Sequence, residues 1–143
     1  MTSAAGYSGT PLPQKLGLKD GQRVLFISLP KELNGLRTSR HFVEIAQAGW
    51  ESFTEGEPGY DVIHGFTASR AVLEKNAKPL MEQIDRAGTI WVSWPKKASK
   101  VPTDITEDVI REVVLPIGLV DVKVAAVDET WSGLKLVIRK ELR

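Results

Sequence analysis

The chain has 143 residues, a formal net charge of +1, and hydrophobic and charged fractions of 42% and 26%. This length suits one domain with one core, and the composition is that of a globular protein, which excludes a disordered chain. The sequence has no cysteine and only two histidines, so disulfides, thiolate metal ligands and a zinc site built without carboxylates are excluded. The near-neutral charge argues against a nucleic-acid partner but leaves room for a local basic patch.

No apolar run in the sequence approaches the ~18 residues that a membrane-spanning helix requires. Residues 1–10 are small and polar, without the basic start and apolar centre of a signal peptide. We therefore expect a cytoplasmic protein with no membrane partner.

Residues 1–22 are rich in Gly, Ser, Thr and Pro and predict a flexible lead-in, whereas residues 23–143 predict one domain. Within the lead-in, Leu12, Leu16 and Leu18 are expected to fix a short helical turn against the core.

Three strands are predicted in the first two thirds of the chain. Residues 23–29 form a nearly continuous apolar run, typical of a strand buried on both faces of a parallel sheet. Residues 60–67 and 89–94 predict the second and third strands. Residues 35–49 predict an amphipathic helix that ends at Gly49.

Two further helices are predicted. A helix capped by Thr67 or Ser69 and ended by Gly88 is predicted between the second and third strands, with Pro79 inside it as a kink. Another helix is expected after a capping box formed by Asp104 and the glutamate three residues later.

Residues 120–127 and 134–139 predict the last two strands, and the short link between them requires a hairpin. Alternating strands and helices favour right-handed crossovers. The sequence therefore predicts a single Rossmann-like, three-layer α/β domain with a mostly parallel five-stranded sheet that ends in an antiparallel hairpin.

The candidate site lies where the strands end, because ligands of open parallel sheets bind beyond the carboxyl ends of the strands. Residues 94–100 (WPKKASK) and 128–133 (DETWSG) are expected to be neighbours there. Three lysines before a helix N-terminus predict an anion site, with a solvated basic loop as the alternative. The tryptophans are expected to stack on a ligand ring, or else to cover the core or anchor a partner subunit. The candidate ligand-binding residues are Trp94, Lys96, Lys97, Lys100, Thr103, Asp128 and Trp131.

No catalytic residue or metal ligand is assigned. Asp128 and Glu129, together with Asp104 or Asp108, are able to form an acid–base pair or hold a magnesium ion, but turn chemistry explains Asp128 equally well. The serines lack the Gly-x-Ser-x-Gly context of a hydrolase nucleophile. The two histidines are expected to be structural or solvated.

The order of elements resembles the C-terminal part of class I S-adenosylmethionine-dependent methyltransferases, which also finish with a helix and an antiparallel hairpin. That resemblance implies a Gly-x-Gly-type loop after the first strand, where this chain has PKELNG (residues 30–35). It also implies a second strand that ends in an acidic residue for the ribose hydroxyls, and the predicted elements leave no room for that strand.

A second resemblance rests on WPKK (residues 94–97), TDITEDVIRE (103–112) and VDETWSGLKLV (127–137), together with the lead-in segment YSGTPL. These segments are similar to a family of small bacterial proteins of unknown function, so they imply no catalytic residue. The leading interpretation is a non-catalytic Rossmann-like binding or interaction module, whose partner is another protein or a second copy. The alternatives are a binder of a phosphorylated or nucleotide-like anionic metabolite and a degenerate methyltransferase-like enzyme. No cofactor is assigned.

Overall fold

One mixed sheet of six strands organises the computed structural model, which describes residues 9–143. The strand order is β2-β1-β3-β4-β6-β5; the first four strands are parallel, and β6 runs antiparallel to both β4 and β5. The predicted Rossmann-like α/β class with a terminal hairpin is confirmed. The strands are β1 (Arg23–Ile27), β2 (Glu44–Ala48), β3 (Tyr60–Phe66), β4 (Ile84–Pro95), β5 (Leu119–Ala126) and β6 (Trp131–Ile138).

Helices cover the two faces of the sheet unequally. The helices are α1 (Leu12–Lys15), α2 (Arg70–Gln83) and α3 (Glu107–Val114), with a 3-10 helix at Lys31–Thr38. The apolar sides of α2 and α3 pack on one face, which we call the helical face. The opposite face is covered by residues that follow α1 and by the 3-10 helix. Nowhere in residues 9–143 is a helix long and apolar enough to cross a membrane.

The helix predicted at residues 35–49 is wrong, because this segment holds the end of the 3-10 helix and then strand β2. Strand β2 pairs with β1 in parallel, so the sheet has six strands rather than five. Arg23 of β1 and Glu44 of β2 face each other in this ladder, and their side chains form a 2.7 Å ion pair. Pairing with β1 and the β-branched Val43 and Ile45 thus override a weak helical periodicity.

The boundaries of the next helix also differ from the prediction. Helix α2 ends at Gln83, and β4 begins at Ile84, well before Gly88. The pairing of β3 with β4 is irregular just after Ile84, which lets the chain leave the helix directly into the strand. Of the two predicted caps, Ser69 is the one used, since its hydroxyl accepts a 3.3 Å hydrogen bond from the Val72 N–H.

The predicted cap of α3 is wrong, and the residue predicted for it, Asp104, instead connects the loop before α3 to α2. Thr106 caps α3 by accepting a 3.1 Å hydrogen bond from the Val109 N–H. Asp104 instead accepts a 2.7 Å hydrogen bond from the Arg70 N–H at the start of α2. The carboxylate therefore ties the loop before α3 to the neighbouring helix, where it also complements the helix dipole.

The predicted contact between the lead-in and the core is present for the part of the lead-in that the structure describes. Leu16 and Leu18 are buried on the face opposite α2 and α3, and Leu12 is partly buried against the same cluster. The indole N–H of Trp91 in β4 donates a 3.0 Å hydrogen bond to the Leu16 carbonyl. Residues 1–8 of the predicted flexible lead-in lie outside the described residues.

Packing around Trp91 leaves little room for a side chain at Gly133 in β6. A Cβ at Gly133 would lie 3.1 Å from both the Ser93 hydroxyl and the Trp91 ring. We expect Gly133→Ala to lower the free energy of unfolding by ~1–3 kcal/mol, the usual cost of overpacking a core. Urea denaturation measures this loss.

Gly35→Ala is the matched control, because a Cβ at Gly35 meets no atom within 4 Å and its backbone is not left-handed. We expect this change to be neutral or slightly stabilising, since it reduces the entropy of the unfolded chain. Equal stabilities for the two variants would contradict the packing argument.

Candidate functional site

A cavity of about 750 Å³ opens beyond the carboxyl end of β4, between the loop after this strand and the start of α3. We call it the lysine cavity. It contains five of the seven predicted site residues, namely Trp94, Lys96, Lys97, Lys100 and Thr103. Trp94 forms its inner wall and is only 8% exposed, because it also packs on the helical face.

The other two predicted site residues lie elsewhere. Trp131 is opposite Pro95 in the β4–β6 ladder, and it packs edge-on against Phe66 on the face away from α2 and α3. The Asp128 carboxylate accepts hydrogen bonds of 2.8 and 2.7 Å from the backbone N–H groups of Thr130 and Trp131. The two candidate tryptophans are thus on opposite faces of the sheet, and Asp128 closes its own turn.

The loop that carries the lysines is held by its own hydrogen bonds. The Ser99 hydroxyl donates to the Lys96 carbonyl at 2.7 Å, and Lys100 follows in a left-handed conformation with φ of 62°. The Lys96 N–H donates to the Thr130 carbonyl at 2.8 Å, which places this loop beside the hairpin turn as predicted. A non-glycine residue with positive φ costs of order 1 kcal/mol, so the surrounding contacts must hold this shape.

Charge in the lysine cavity is asymmetric. On its α3 side, Arg111 holds Glu107 at 2.6 Å and Asp108 at 2.9 Å, and it also binds Asp121 at 2.9 Å. These contacts raise the pKa of Arg111, and the hydrogen bond from Arg111 lowers the pKa of Asp121. One guanidinium therefore offsets only part of the charge of these three carboxylates, and the α3 side of the cavity stays acidic.

The basic wall has no such compensation. Ion pairs formed within residues 9–143 involve none of the three lysine ammonium groups of the cavity. The Thr103 hydroxyl, by contrast, is occupied: it donates to the Ala68 carbonyl at 2.7 Å and accepts from the Ile105 N–H at 3.0 Å. The cavity therefore offers three ammonium groups beside the buried ring of Trp94 and opposite the acidic wall.

The second place of interest is the switch point between β1 and β3, where the chain connections diverge to opposite sides of the sheet. Strand β1 runs into Ser28, which has a φ of 56°, and then into the 3-10 helix rather than a glycine-rich turn. The Trp50 indole N–H donates a 2.9 Å hydrogen bond to the Phe66 carbonyl. A Cβ at Gly65 would lie 2.5 Å from the indole, so Trp50 covers the end of β3.

Sequence reasoning missed Trp50 and its neighbour Glu51 because it placed no strand before them. Both residues follow β2, and they line a 470 Å³ cavity with Phe53 and Lys75 on the α2 side of the sheet. Glu51 is thus an acidic residue just beyond the end of the second strand, the position that the methyltransferase resemblance implies. The contact between Trp50, which follows β2, and Gly65 of β3 has no signal in the sequence, because it depends on the order of the strands in the sheet.

His64 is buried at the centre of β3, and its ring lies 2.7 Å from the Ser93 hydroxyl and stacks on Phe66. Burial lowers its pKa from the ordinary value to about 3, so the imidazole is neutral in the folded protein. Its position and charge state make it a structural residue. No group of three His, Cys, Asp or Glu side chains within residues 9–143 is placed to hold a metal ion.

The sheet order and the terminal hairpin define the fold of the class I methyltransferases. A SAM-dependent methyltransferase from Aquifex aeolicus aligns with 87% of this chain and 86% of its own, at 14% identity and a TM-score of 0.65. A putative methyltransferase from Thermoplasma acidophilum aligns with 94% of this chain and 76% of its own, at 8% identity and a TM-score of 0.57. For a TehB-like SAM-dependent methyltransferase from Corynebacterium glutamicum, the coverages are 94% and 91%, the identity is 11% and the TM-score is 0.55.

At these identities the structural likeness establishes the fold and not the activity. A scan of the sequence against protein-family models finds no match, and a search of curated proteins finds none either. The resemblance to a bacterial family of unknown function therefore stays a prediction.

Burial of His64 makes the stability of the protein depend on pH. The folded state keeps this imidazole neutral while the unfolded chain protonates it near pH 6.5, so stability is complete above that pH and falls as the pH drops towards 3. We expect protonation of His64 in the unfolded chain to lower the free energy of unfolding by about 2 kcal/mol as the pH falls from about 7 to about 5. Urea denaturation across this range measures the loss.

His64→Gln should flatten this pH dependence, because an amide is able to bond Ser93 but does not titrate. His41→Gln is the control, since His41 is exposed, and it should leave the dependence unchanged. A slope that survives in His64→Gln would assign the effect to another group.

Proposed function

We propose that this chain is a binding module with a methyltransferase fold that does not transfer methyl groups, and that its ligand site is the lysine cavity. The observation that carries the first part is the position of Trp50 over Gly65. An indole covers the end of β3 at the switch point, the usual ligand crevice of this type of sheet. The absence of a glycine-rich turn after β1, where Ser28 and the 3-10 helix follow instead, supports the same proposal.

The lysine cavity supports an anionic ligand of the phosphorylated or nucleotide-like class. Lys96, Lys97 and Lys100 bring three ammonium groups to one opening, and Arg111 offsets part of the negative charge on the far wall. Two or three charge-assisted hydrogen bonds of ~1.5–3 kcal/mol each correspond to a Kd in the millimolar to micromolar range. Because Trp94 is only 8% exposed, it offers little ring surface to the ligand.

A second candidate function is a degenerate methyltransferase-like enzyme, and Glu51 favours it. This carboxylate follows β2 where the resemblance implies a partner for ribose hydroxyls, and it lies at an open cavity. The same cavity is walled by Trp50, which argues for a smaller or differently placed ligand than in the enzymes that share the fold. The two candidates thus differ in the cavity that holds the ligand. In the first it is the lysine cavity, and in the second it is the cavity lined by Trp50 and Glu51.

A thermal-shift panel of nucleotides, sugar phosphates and coenzyme A at about 1 mM tests the lysine cavity. A ligand with a Kd near 10 μM would add ~2.7 kcal/mol at that concentration and raise the melting temperature by several degrees. We expect the combined change Lys96→Gln and Lys97→Gln to abolish the shift, because both ammonium groups line the opening.

The matched control removes the same charge elsewhere, through Lys31→Gln and Lys123→Gln, two exposed lysines outside the cavity. This control should retain the full shift. A ligand whose shift survives the cavity variant binds elsewhere, and a panel without any hit counts against the metabolite site.

Calorimetric titration with S-adenosylmethionine separates the two candidate functions. We expect no binding at about 1 mM, because Trp50 covers the switch point. Glu51→Gln, which removes the carboxylate at an exposed position, should then change nothing. Binding by the natural chain that Glu51→Gln weakens tenfold or more would overturn the non-catalytic proposal in favour of the enzyme.

A further inference from the structure

Helix α2 carries an amide side chain on its buried side. Asn76 is only 8% exposed, and the other buried residues of this helix include Leu73, Ala77 and Leu80. The Asn76 Nδ2 group donates a 2.8 Å hydrogen bond to the Val72 carbonyl one turn earlier. Because a carbonyl oxygen accepts only from the NH2 branch of an amide, this bond determines which branch carries the Asn76 oxygen.

The amide oxygen of Asn76 has no hydrogen-bond partner within residues 9–143. It is also not enclosed, since the enclosed side-chain atoms without a partner in this part of the chain are Arg37 Nε and Arg139 Nε. The oxygen is therefore open to a space, and the cavity that Asn76 lines is the 470 Å³ cavity beside Trp50. We call it the α2 cavity. Buried polar groups are almost always hydrogen-bonded, so this oxygen offers an acceptor to a ligand.

Two further acceptors belong to residues that line the α2 cavity. Pro79 lies inside α2 and has no N–H, so the Lys75 carbonyl one turn earlier lacks its usual helical donor. Lys75 and Pro79 both line the cavity. The exposed Glu51 also lines it, and no ion pair within residues 9–143 involves Glu51. A ligand of this cavity must therefore bring hydrogen-bond donors.

The aromatic wall of the α2 cavity is held in place by the protein itself. Phe53 packs edge-on against Trp50, with the ring centroids 5.7 Å apart. At the end of α2, the Gln83 side chain donates a 3.2 Å hydrogen bond to the Gly56 carbonyl. This bond ties the turn after Trp50 to the helix that carries Asn76. The cavity is thus formed before any ligand arrives, as is usual for small-molecule sites.

We propose that the α2 cavity binds a small organic cation of the amidinium class. An amidinium is planar and carries several N–H donors and no acceptor, so one group is able to serve both Asn76 Oδ1 and the Lys75 carbonyl. A cation on the Trp50 ring also gains cation–π attraction, and Glu51 adds an opposite charge. The Lys75 ammonium opposes the ligand, but solvent screens it because Lys75 is exposed.

The α2 cavity is independent of the proposed anion site, because no residue lines both it and the lysine cavity. Loss of either site in an experiment leaves the other proposal intact. The α2 cavity shares Glu51 with the second candidate function, but that candidate does not involve Asn76.

NMR titration with benzamidine, benzamide and benzoate tests the charge of the ligand, since the three probes share one ring and are positive, neutral and negative. We expect benzamidine to bind with a Kd in the millimolar range and to shift the backbone amide signals of residues 50–54 and 71–79. Benzamide should bind at least about fivefold more weakly, and benzoate should not bind. Equal affinities for benzamidine and benzamide, tighter binding of benzoate, or no shift of these signals by benzamidine overturns the proposal.

Asn76→Leu removes the amide oxygen and keeps the size of the side chain. We expect it to weaken benzamidine binding by about tenfold or more, because a hydrogen bond to a charged group is lost. It should also raise the melting temperature, since an apolar group replaces a polar one beside Leu73 and Leu80. A purely structural asparagine would instead lower the melting temperature and leave the affinity unchanged, and unchanged affinity overturns the proposal.

Two exposed substitutions decide the question even if Asn76→Leu does not fold. Lys75→Gln should tighten benzamidine binding by about two- to threefold, and Glu51→Gln should weaken it by a similar factor. Lys78→Gln is the matched control, because Lys78 is exposed on the same helix but does not line the α2 cavity, and it should change nothing. Weaker binding in Lys75→Gln, or the same effect in Lys78→Gln as in Lys75→Gln, overturns the proposal.

Discussion

The structure depends on burying the parallel strands β3 and β4 on both faces. Helices α2 and α3 cover one face, whereas the other face has only short elements to cover it. The hydrogen bond from the Trp91 indole to the Leu16 carbonyl has two effects. It satisfies a buried donor, and it holds the lead-in over the sheet. Gly133 and the neutral His64 are consequences of the same packing, because a methyl group or a charge beside Trp91 would have no space or solvation.

The parallel strands all end on the same side of the sheet. Two chemically different places lie there: the switch point, which is covered, and the lysine cavity, which is open. Trp50 covers the first through one hydrogen bond and contact with Gly65. Asp104 does not line the second, because its carboxylate accepts the Arg70 N–H while Thr106 caps α3. The acidic side chains that line the lysine cavity are therefore Glu107 and Asp108, both paired with Arg111, and not Asp104.

The elements predicted correctly were those whose signal is local. The apolar runs of β1, β3 and β4 and the short link of the hairpin each specify a strand without reference to the rest of the chain. Strand β2 was missed because it is half exposed and is defined by pairing with β1, which the sequence does not display. The lysine loop was placed correctly, but the opposite orientations of Trp94 and Trp131 depend on the β4–β6 register, which only the three-dimensional structure supplies.

Segment 40–51 connects the sheet edge to the switch point. It forms β2, the outer strand of the sheet within residues 9–143, and directly after that strand it places Trp50 at the switch point and Glu51 in the cavity beside it. A strand held on one side only is the least supported part of a sheet, so the position of Trp50 rests on its bond to Phe66 and on the β1 ladder. The outer strand of the described sheet and the cover over the switch point are therefore properties of the same short stretch of chain.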